Sequence, residues 1–299
     1  MERIINRVIE NEEYRKLLDE ISDAIDRCVD YGDTVFNILG KYPRDEYVDA
    51  SLALLLRDFL EFLDGISVLI RNSCIEAAIP VLRSMFEHYL AILFILEKHQ
   101  SNRATAYQVA HIRSRLKVYK KFSSGEVGQL TKMLDNSEYN FPLPDIDTSE
   151  DIERLEHLLL KGKYKIINDE WENTRMKYGK KQVNWYSLYN GPKTFFDFAA
   201  YLNKEVDYEF LYRTWSAKSH ANAAFNSAIE TGGFKMLRHP ESLKTVSTWA
   251  FTWTFTLFQE ILEYYKKRKA VNFAYFYFKV RSTYLKVSNG RELVKIKYD

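Results

Sequence analysis

The sequence has little of the residue types that build cross-linked or turn-rich folds. Its 299 residues include 2 cysteines, 6 prolines and 11 glycines. Two cysteines cannot form a disulfide framework or, by themselves, a zinc site, so the composition favours a reducing compartment, the cytoplasm. Scarce glycine and proline argue against an all-β fold, which needs many tight turns. The content of 46% apolar and 28% charged residues is typical of an ordinary globular protein.

The sequence also lacks a convincing signal peptide or membrane-spanning segment. Its N-terminus does not have the basic-then-apolar layout of a secretory signal. The most apolar segment, 77–96, is interrupted by Arg83, Glu87 and His88, and each charge at mid-bilayer would cost about 2.5–3.5 kcal/mol. Segment 245–259 is uncharged but shorter than the roughly 20 residues that span a bilayer. We therefore expect buried helices and no membrane association.

The net charge of +2 conceals an uneven distribution. Residues 1–64 hold 16 acidic and 8 basic side chains, whereas residues 262–299 hold 3 acidic and 10 basic side chains. A chain that is acidic at one end and basic at the other could associate with itself or contact nucleic acid, and the charge alone requires neither.

Apolar residues recur at three- and four-residue spacing along most of the chain, which predicts an all-α helical bundle. We predict one helical domain over 1–299, with a core of four or more long helices at about 45–122 and 184–269, a middle insertion at about 123–183 and a basic aromatic tail at about 264–299. Helices are predicted at 45–70, 74–98, 102–122, 148 to beyond 171, 195–203, 207–229 and 242–269. The segment after 271 suits a strand as well as a helix.

The first candidate site lies in the most apolar predicted helix. Arg83 and Glu87 are four residues apart and share a face with Glu76. A charged pair in an apolar helix is costly unless partners satisfy it, so the pair either serves a site or is a structural ion pair that fixes helix register. Both interpretations stay open. We expect Arg83 and Glu87 to lie inside the bundle, near the helix that carries the second candidate site.

The second candidate site lies in the segment YRTWSAKSHANAAF. Arg213 and His220 are seven residues apart, which is about 10 Å along a helix, and Ser216 lies between them on the same face. Arginine supplies a fixed cation for phosphate, and histidine can exchange a proton near neutral pH. Together they suffice for RNA cleavage without a metal ion or cofactor, in which His220 moves protons and Arg213 stabilises the phosphoryl oxygens.

The spacing itself is a weak signal. About one Arg-x4–6-His match is expected by chance from the composition, and the sequence holds two, the second being Arg83 with His88. On spacing alone, His220 is more simply a structural histidine. Gly-rich phosphate loops, the H-E-x-x-H metal motif and the nucleophile elbow of serine hydrolases do not occur in the sequence.

Two segments resemble a bacterial family of uncharacterised helical proteins over about residues 52–226. AAIPVLRSMFEHYLAILFIL is similar to the family's LRSxxE helix, and WYSLYNGPKTFFDFAAYLNKEVDYEFLYRTWSAKSHANA is similar to its second block, with a YxxxSxxxH helix. The residues that carry the resemblance are Arg83, Ser84, Glu87, Tyr212, Ser216 and His220.

More distantly, the chain resembles the HEPN superfamily, helical bundles that carry Arg-x4–6-His on a late helix and act as dimeric ribonucleases in toxin and phage-defence systems. This resemblance implies a HEPN-like core, a metal-independent endoribonuclease with Arg213 and His220 as catalytic residues, a homodimer, and an antitoxin or defence-system partner. The supporting residues would be Arg83, Glu87, His88, Ser216 and Tyr212.

The alternative is a non-catalytic helical sensor or interaction protein, in which the same polar groups form a buried Arg/Glu/His network or bind a small ligand. The basic segments 103–121 and 266–297 also allow two interpretations. They are either RNA-binding surfaces, the second with aromatic rings for stacking, or packing helices with a solvated basic face. Cleavage of RNA in the presence of a chelator would separate the enzyme from the sensor.

Overall fold

The computed structural model describes residues 9, 11–123, 147–179, 183–213 and 237–290. These residues form helices and connections, with no strand among them. The predicted all-α helical bundle is therefore confirmed.

Ten α-helices account for most of the described residues. They are α1 (Glu12–Lys41), α2 (Glu46–Arg71), α3 (Ile75–Glu97), α4 (Gln100–Ser123), α5 (Ser149–Leu159), α6 (Gly162–Tyr178), α7 (Phe195–Tyr201), α8 (Glu205–Asp207), α9 (Leu243–Tyr264) and α10 (Phe273–Asn289). A 3₁₀ turn, Trp185–Asn190, precedes α7, and a π-helical turn, Tyr208–Arg213, continues α8.

One predicted helix differs from the structure, one segment that the sequence leaves open is decided by it, and one predicted helix lies only partly within the described residues. The helix predicted from 148 to beyond 171 is two helices, α5 and α6, because the chain turns at Gly162, whose φ of +47° lies in the left-handed region. The segment after 271, which suited a strand equally well, is the helix α10. Of the helix predicted over 207–229, only 207–213 lies within the described residues, as the end of α8 and the π turn.

The described chain divides into two compact units. The first draws on Met1–Lys98 and Ala199–Asp299, and the second on His99–Phe198. The second unit extends beyond the predicted insertion, since it includes α4 as well as α5 and α6. That 1–299 forms a single domain stays a prediction.

Four helices of the first unit pack in a closed ring. α2 packs against α1 and α3, and α9 packs against α3 and α1. The ring forms because each helix presents an apolar face, as where Leu18, Ile21 and Ile25 of α1 are fully buried, and burial of each such side chain contributes about 1.5–3 kcal/mol. Asp45 caps the start of α2, since its carboxylate accepts hydrogen bonds from two backbone N–H groups of the first turn.

α3 is apolar on nearly all sides because it contacts both α2 and α9. It is the one helix among the described residues that is long and apolar enough to cross a membrane, and 61% of its most apolar 18-residue window is buried. A buried core helix has the same length and composition. The expectation that the protein does not associate with a membrane stays a prediction.

α10 lies against α1 and α9. Lys286 of α10 forms an ion pair with Glu20 of α1, and Tyr31 of α1 stacks on Phe276 of α10 with 4.0 Å between ring centroids. Within the described residues, the acidic N-terminal part and the basic C-terminal part of the sequence are therefore in contact at α1 and α10, and their ion pair offsets part of the charge asymmetry.

The second unit is built around an apolar cluster that joins α4, α5, α6 and the 3₁₀ turn, with Val109, Ile167 and Trp171 among its buried members. Arg113 of α4 donates hydrogen bonds to the side chains of Asn168 and Glu172 on α6, both at 2.6 Å. The basic face of α4 is thus partly engaged by its own unit.

Candidate functional site

The two segments that the sequence singled out meet in the first unit. Arg83 of α3 lies over the ring of Tyr212 in the π turn, with 4.0 Å between the guanidinium carbon and the ring centroid. Both side chains are half-buried. A guanidinium over an aromatic face is an attractive cation–π contact, worth about 0.5–2 kcal/mol according to its exposure.

An aromatic stack continues from Tyr212 into the core. Phe86 of α3 packs between Tyr212 (6.4 Å between centroids) and Trp253 of α9 (4.9 Å). Trp253 in turn stacks on Tyr89 of α3 at 5.7 Å. Phe86, Tyr89 and Trp253 are almost completely buried. The stack ties the π turn to α3 and α9, and π-helical turns of this kind are frequent at functional sites.

A buried carboxylate, that of Asp207, is hydrogen-bonded to Trp253 of the stack. Asp207 is only 7% exposed, and its Oδ2 accepts a hydrogen bond of 3.1 Å from the indole N–H of Trp253. Burial raises the pKa of the Asp207 carboxyl, while the Trp253 hydrogen bond and the positive charge of Lys204 oppose the rise. Asp207 was not among the site residues predicted from the sequence, because an aspartate at a helix start is ordinarily a cap.

Glu87 occupies a different environment from the one expected. Arg83 is half-buried, whereas Glu87 is exposed. The expectation that both side chains lie inside the bundle is therefore wrong for Glu87. Because the Glu87 carboxylate stays in contact with water, it pays no desolvation cost. Burial raises the pKa of the Tyr212 hydroxyl, Arg83 opposes that rise and the negative charge of Glu87 adds to it.

Two further polar residues of α3 face other partners. His88 Nδ1 donates a hydrogen bond of 2.9 Å to the backbone carbonyl of Ser84, and its Nε2 lies 3.8 Å from the carboxylate of Asp58 on α2. Glu76 accepts a hydrogen bond of 2.7 Å from the hydroxyl of Ser242. The structure therefore brings Tyr212 to Arg83 but directs His88 toward α2.

Arg213 ends the π turn at the surface. Its side chain is 71% exposed, and its Nη1 lies 3.2 Å from both carboxylate oxygens of Glu209, one turn earlier. Ser216 and His220 lie outside the described residues. The pairing of Arg213 with His220 stays a prediction.

The second unit has a groove of about 470 Å³ between α4 and the two helices that follow it. Its lining includes the cations Arg113, Lys117 and Lys120 and leucines of α4 and α5. Lys120 forms an ion pair with Glu156, so two of the three cations already have carboxylate partners within the unit. No group of three or more potential metal ligands occurs among the described residues.

The fold and the site define an all-α helical bundle with a polar and aromatic cluster where α3, α9 and the π turn meet. A model of a family of unknown function, DUF5677, matches residues 49–236, which is more than half of the chain. The chain belongs to this family. No curated protein and no solved structure matches it. The family match includes Arg83, Tyr212 and Arg213, together with the segment that carries His220.

Proposed function

We propose that this protein is a metal-independent, HEPN-like endoribonuclease with Arg213 and His220 as its catalytic residues. The position of Arg213 is the observation that carries the proposal. Its guanidinium is exposed to solvent, yet it directly follows Tyr212, which Arg83 and Phe86 hold against α3. A cation at the surface, on a fixed element, suits the phosphate of a long substrate.

The chemistry follows from the two side chains. His220 takes the proton of the 2′-hydroxyl or gives one to the departing 5′-oxygen, while Arg213 stabilises the charge on the phosphoryl oxygens. The bond from the 2′-oxygen to phosphorus forms as the bond to the 5′-oxygen breaks. The products are a 2′,3′-cyclic phosphate and a 5′-hydroxyl. Arg83 and Tyr212 act here as positioning residues, and Glu87, His88 and Ser216 are the other supporting residues of the proposal.

The resemblance to HEPN proteins extends the proposal to the assembly. Two copies would place their Arg213–His220 segments around one cleft, and the protein would serve in the cytoplasm as a toxin or phage-defence effector. An antitoxin or another defence protein would then restrain it. A homodimer at micromolar concentration in analytical ultracentrifugation is the expected result.

The test is cleavage of end-labelled RNA in the presence of EDTA. His220→Ala should lower the rate by about 10²–10⁴, and Arg213→Lys should also be damaging, because a point charge does not replace a planar guanidinium on phosphate. His111→Ala, at an exposed position of α4, is the matched histidine control. Arg57→Lys is the matched arginine control, since Arg57 is exposed and pairs with a glutamate four residues away, as Arg213 does.

The alternative function is a non-catalytic sensor or interaction protein. It is favoured by one observation, the engagement of Arg83, Tyr212 and Trp253 in packing between helices. The wild type would then show no ribonuclease activity above the His220→Ala background, and His220→Ala would lower the melting temperature. A wild type that cleaves in EDTA, with fully active control variants and an inactive His220→Ala, contradicts the sensor.

A further inference from the structure

α10 has one buried face and one exposed face. Phe273, Phe276 and Val280 are buried, and Tyr31 of α1 stacks in parallel on Phe276 at 4.0 Å. Phe255 of α9 meets the same ring edge-on at 6.1 Å. The buried face of α10 is therefore packed against α1 and α9, two helices of the four-helix bundle of the first unit.

The opposite face carries two large exposed rings. Phe278 is 73% exposed, more than any other large hydrophobic side chain among the described residues, and Tyr275 is 62% exposed. They are three residues apart, so they are neighbours on the helix surface, about 4.5 Å apart along its axis. Contiguous exposed apolar surface rimmed by polar residues can mark an interaction site.

Cations flank the two rings. At 3.6 residues per turn, Lys279 lies on one side of the line through Tyr275 and Phe278, and Arg281 lies on the other. The sequence of α10 contains no acidic residue. In the part of the chain that the structure describes, Lys279 and Arg281 have no carboxylate partner, and Lys279 Nζ lies 4.5 Å from the Tyr275 ring centroid.

This arrangement differs from that of the other basic helix, α4. On α4, Arg113 pairs with Glu172 and Lys120 pairs with Glu156, so these two cations form ion pairs with neighbouring helices of the second unit. On α10, Lys286 pairs with Glu20, but no carboxylate of the described residues pairs with Lys279 or Arg281.

We propose that Tyr275, Phe278, Lys279 and Arg281, the α10 face, bind single-stranded RNA. Two successive bases stack on the rings, and the cations contact the adjoining phosphates. Stacked aromatic residues with flanking cations are how proteins hold single strands without reading their sequence. The choice of RNA over other single strands rests on the proposed function, whereas the exposed rings and the neighbouring cations are features of the structure.

Other polyanions fit the α10 face less well. A duplex keeps its base faces covered, so the rings would have nothing to stack on. An anionic membrane binds a helix through a broad apolar face, but the apolar face of α10 is packed against α1 and α9.

Fluorescence anisotropy with a labelled 2′-O-methyl oligouridylate of about 12 nucleotides, near the length that one single-strand site covers, tests the proposal on the full chain. This strand lacks the 2′-hydroxyl and stays intact. Tyr275→Ala with Phe278→Ala should weaken binding at least about tenfold, and Phe278→Ala alone should weaken it less. Leu54→Ala with Val68→Ala removes two exposed apolar side chains of α2 instead and should leave binding unchanged.

The cations are tested by salt dependence. Lys279→Gln with Arg281→Gln should lower the slope of log affinity against log salt by about 1.4, the value for two phosphate contacts on a single strand. Lys16→Gln with Arg27→Gln removes the same charge from exposed positions of α1 and should leave the slope unchanged. A slope that falls equally in both double variants would show a general charge effect and contradict a site on α10.

Three other outcomes would overturn the assignment. They are equal binding of duplex RNA, at least tenfold tighter binding of single-stranded DNA, and binding to phosphatidylserine vesicles without RNA binding. The result is separable from the proposed function. If the wild type cleaves RNA but Tyr275→Ala with Phe278→Ala binds as tightly as the wild type, the ribonuclease proposal is supported and the α10 face is refuted. If the α10 face binds RNA as expected but the wild type does not cleave it, the α10 face is supported and the ribonuclease proposal is refuted.

Discussion

The guanidinium of Arg83 covers the ring of Tyr212, with 4.0 Å between its central carbon and the ring centroid. This contact joins α3 to the π turn, the two segments on which the family resemblance depends. It gives Arg83 a physical role that does not require contact with a substrate. By fixing Tyr212, Arg83 also fixes the backbone that carries the next residue, Arg213.

A double-mutant cycle measures this contact. Arg83→Gln and Tyr212→Leu should each destabilise the protein, and their coupling energy should be about 0.5–2 kcal/mol, because both variants remove the same cation–π contact. Urea unfolding of the four proteins supplies the values. Replacing Arg83→Gln by Arg57→Gln gives the control cycle, which should be additive to within about 0.5 kcal/mol. Additivity in both cycles would show that Arg83 and Tyr212 do not stabilise one another.

The buried carboxyl of Asp207 predicts a pH dependence of stability. Since burial raises its pKa above the usual 3.8, the folded protein holds this proton more tightly than the unfolded chain. The resulting stabilisation is fully present below pH 3.8 and is lost as the pH rises through the raised pKa. Asp207→Asn has no titrating carboxyl and so does not lose stability in this way, and its amide oxygen can still accept the hydrogen bond from the Trp253 indole N–H.

The free energy of unfolding of Asp207→Asn, relative to wild type, should therefore increase as the pH rises above 3.8. Denaturant unfolding from pH 4 to pH 7 measures it. Asp169→Asn, at an exposed carboxylate of α6, is the control and should follow the wild type. A difference between Asp207→Asn and wild type that stays constant with pH would mean that Asp207 has the same pKa folded and unfolded.

Gly191 predicts a steric effect in the second unit. A Cβ atom there would collide with the backbone carbonyl oxygen of Tyr186 in the 3₁₀ turn, so the turn would have to open. Gly191→Ala should destabilise by about 1–3 kcal/mol. Gly40→Ala on α1 meets open space and should instead stabilise by about 0.5–1 kcal/mol. Calorimetry should show melting temperatures that move in opposite directions, and a shift of the same sign would refute the collision.

Sequence periodicity was sufficient for the helices because each long helix has an apolar face that the bundle buries. The predicted ends of α2, α3 and α4 agree with the structure to within about two residues, the usual uncertainty of helix ends. The break before α6 was missed because it depends on one left-handed residue, Gly162, inside a continuous helical pattern. The helix α10 was ambiguous, since its aromatic and β-branched residues favour either structure until their packing on α1 is known.

The candidate site was harder to predict. Helical spacing grouped Arg83 with Glu87, and the expectation that Arg83 lies near the second motif came from the need of a charged residue in an apolar helix for partners. In the structure Arg83 contacts Tyr212, whereas its distance from His220 stays a prediction. Spacing could not show that Glu87 remains exposed, because helix faces are defined only once the neighbours of α3 are known. Local sequence gave Asp207 the look of a helix cap, and its hydrogen bond with Trp253, 46 residues later in the sequence, becomes visible only in the fold.

The ion pair between Arg213 and Glu209 supplies a last prediction, which bears on the proposed chemistry. Both oxygens of Glu209 lie 3.2 Å from Nη1 of Arg213, so a phosphate must compete with this carboxylate for the guanidinium. An exposed pair of this kind is worth about 0.2–1 kcal/mol. Glu209→Gln should therefore lower the KM for RNA by up to about fivefold and leave kcat nearly unchanged, because the competition affects binding more than the reacting state.

Initial rates across a range of RNA concentrations give both constants. Glu61→Gln, which removes the matching partner of Arg57 on α2, is the control and should change neither. A rise in KM, or a large fall in kcat, would mean that Glu209 orients Arg213 rather than competing with the substrate. In that case Arg213 depends on Glu209 for its geometry, and the guanidinium acts with its carboxylate partner in place.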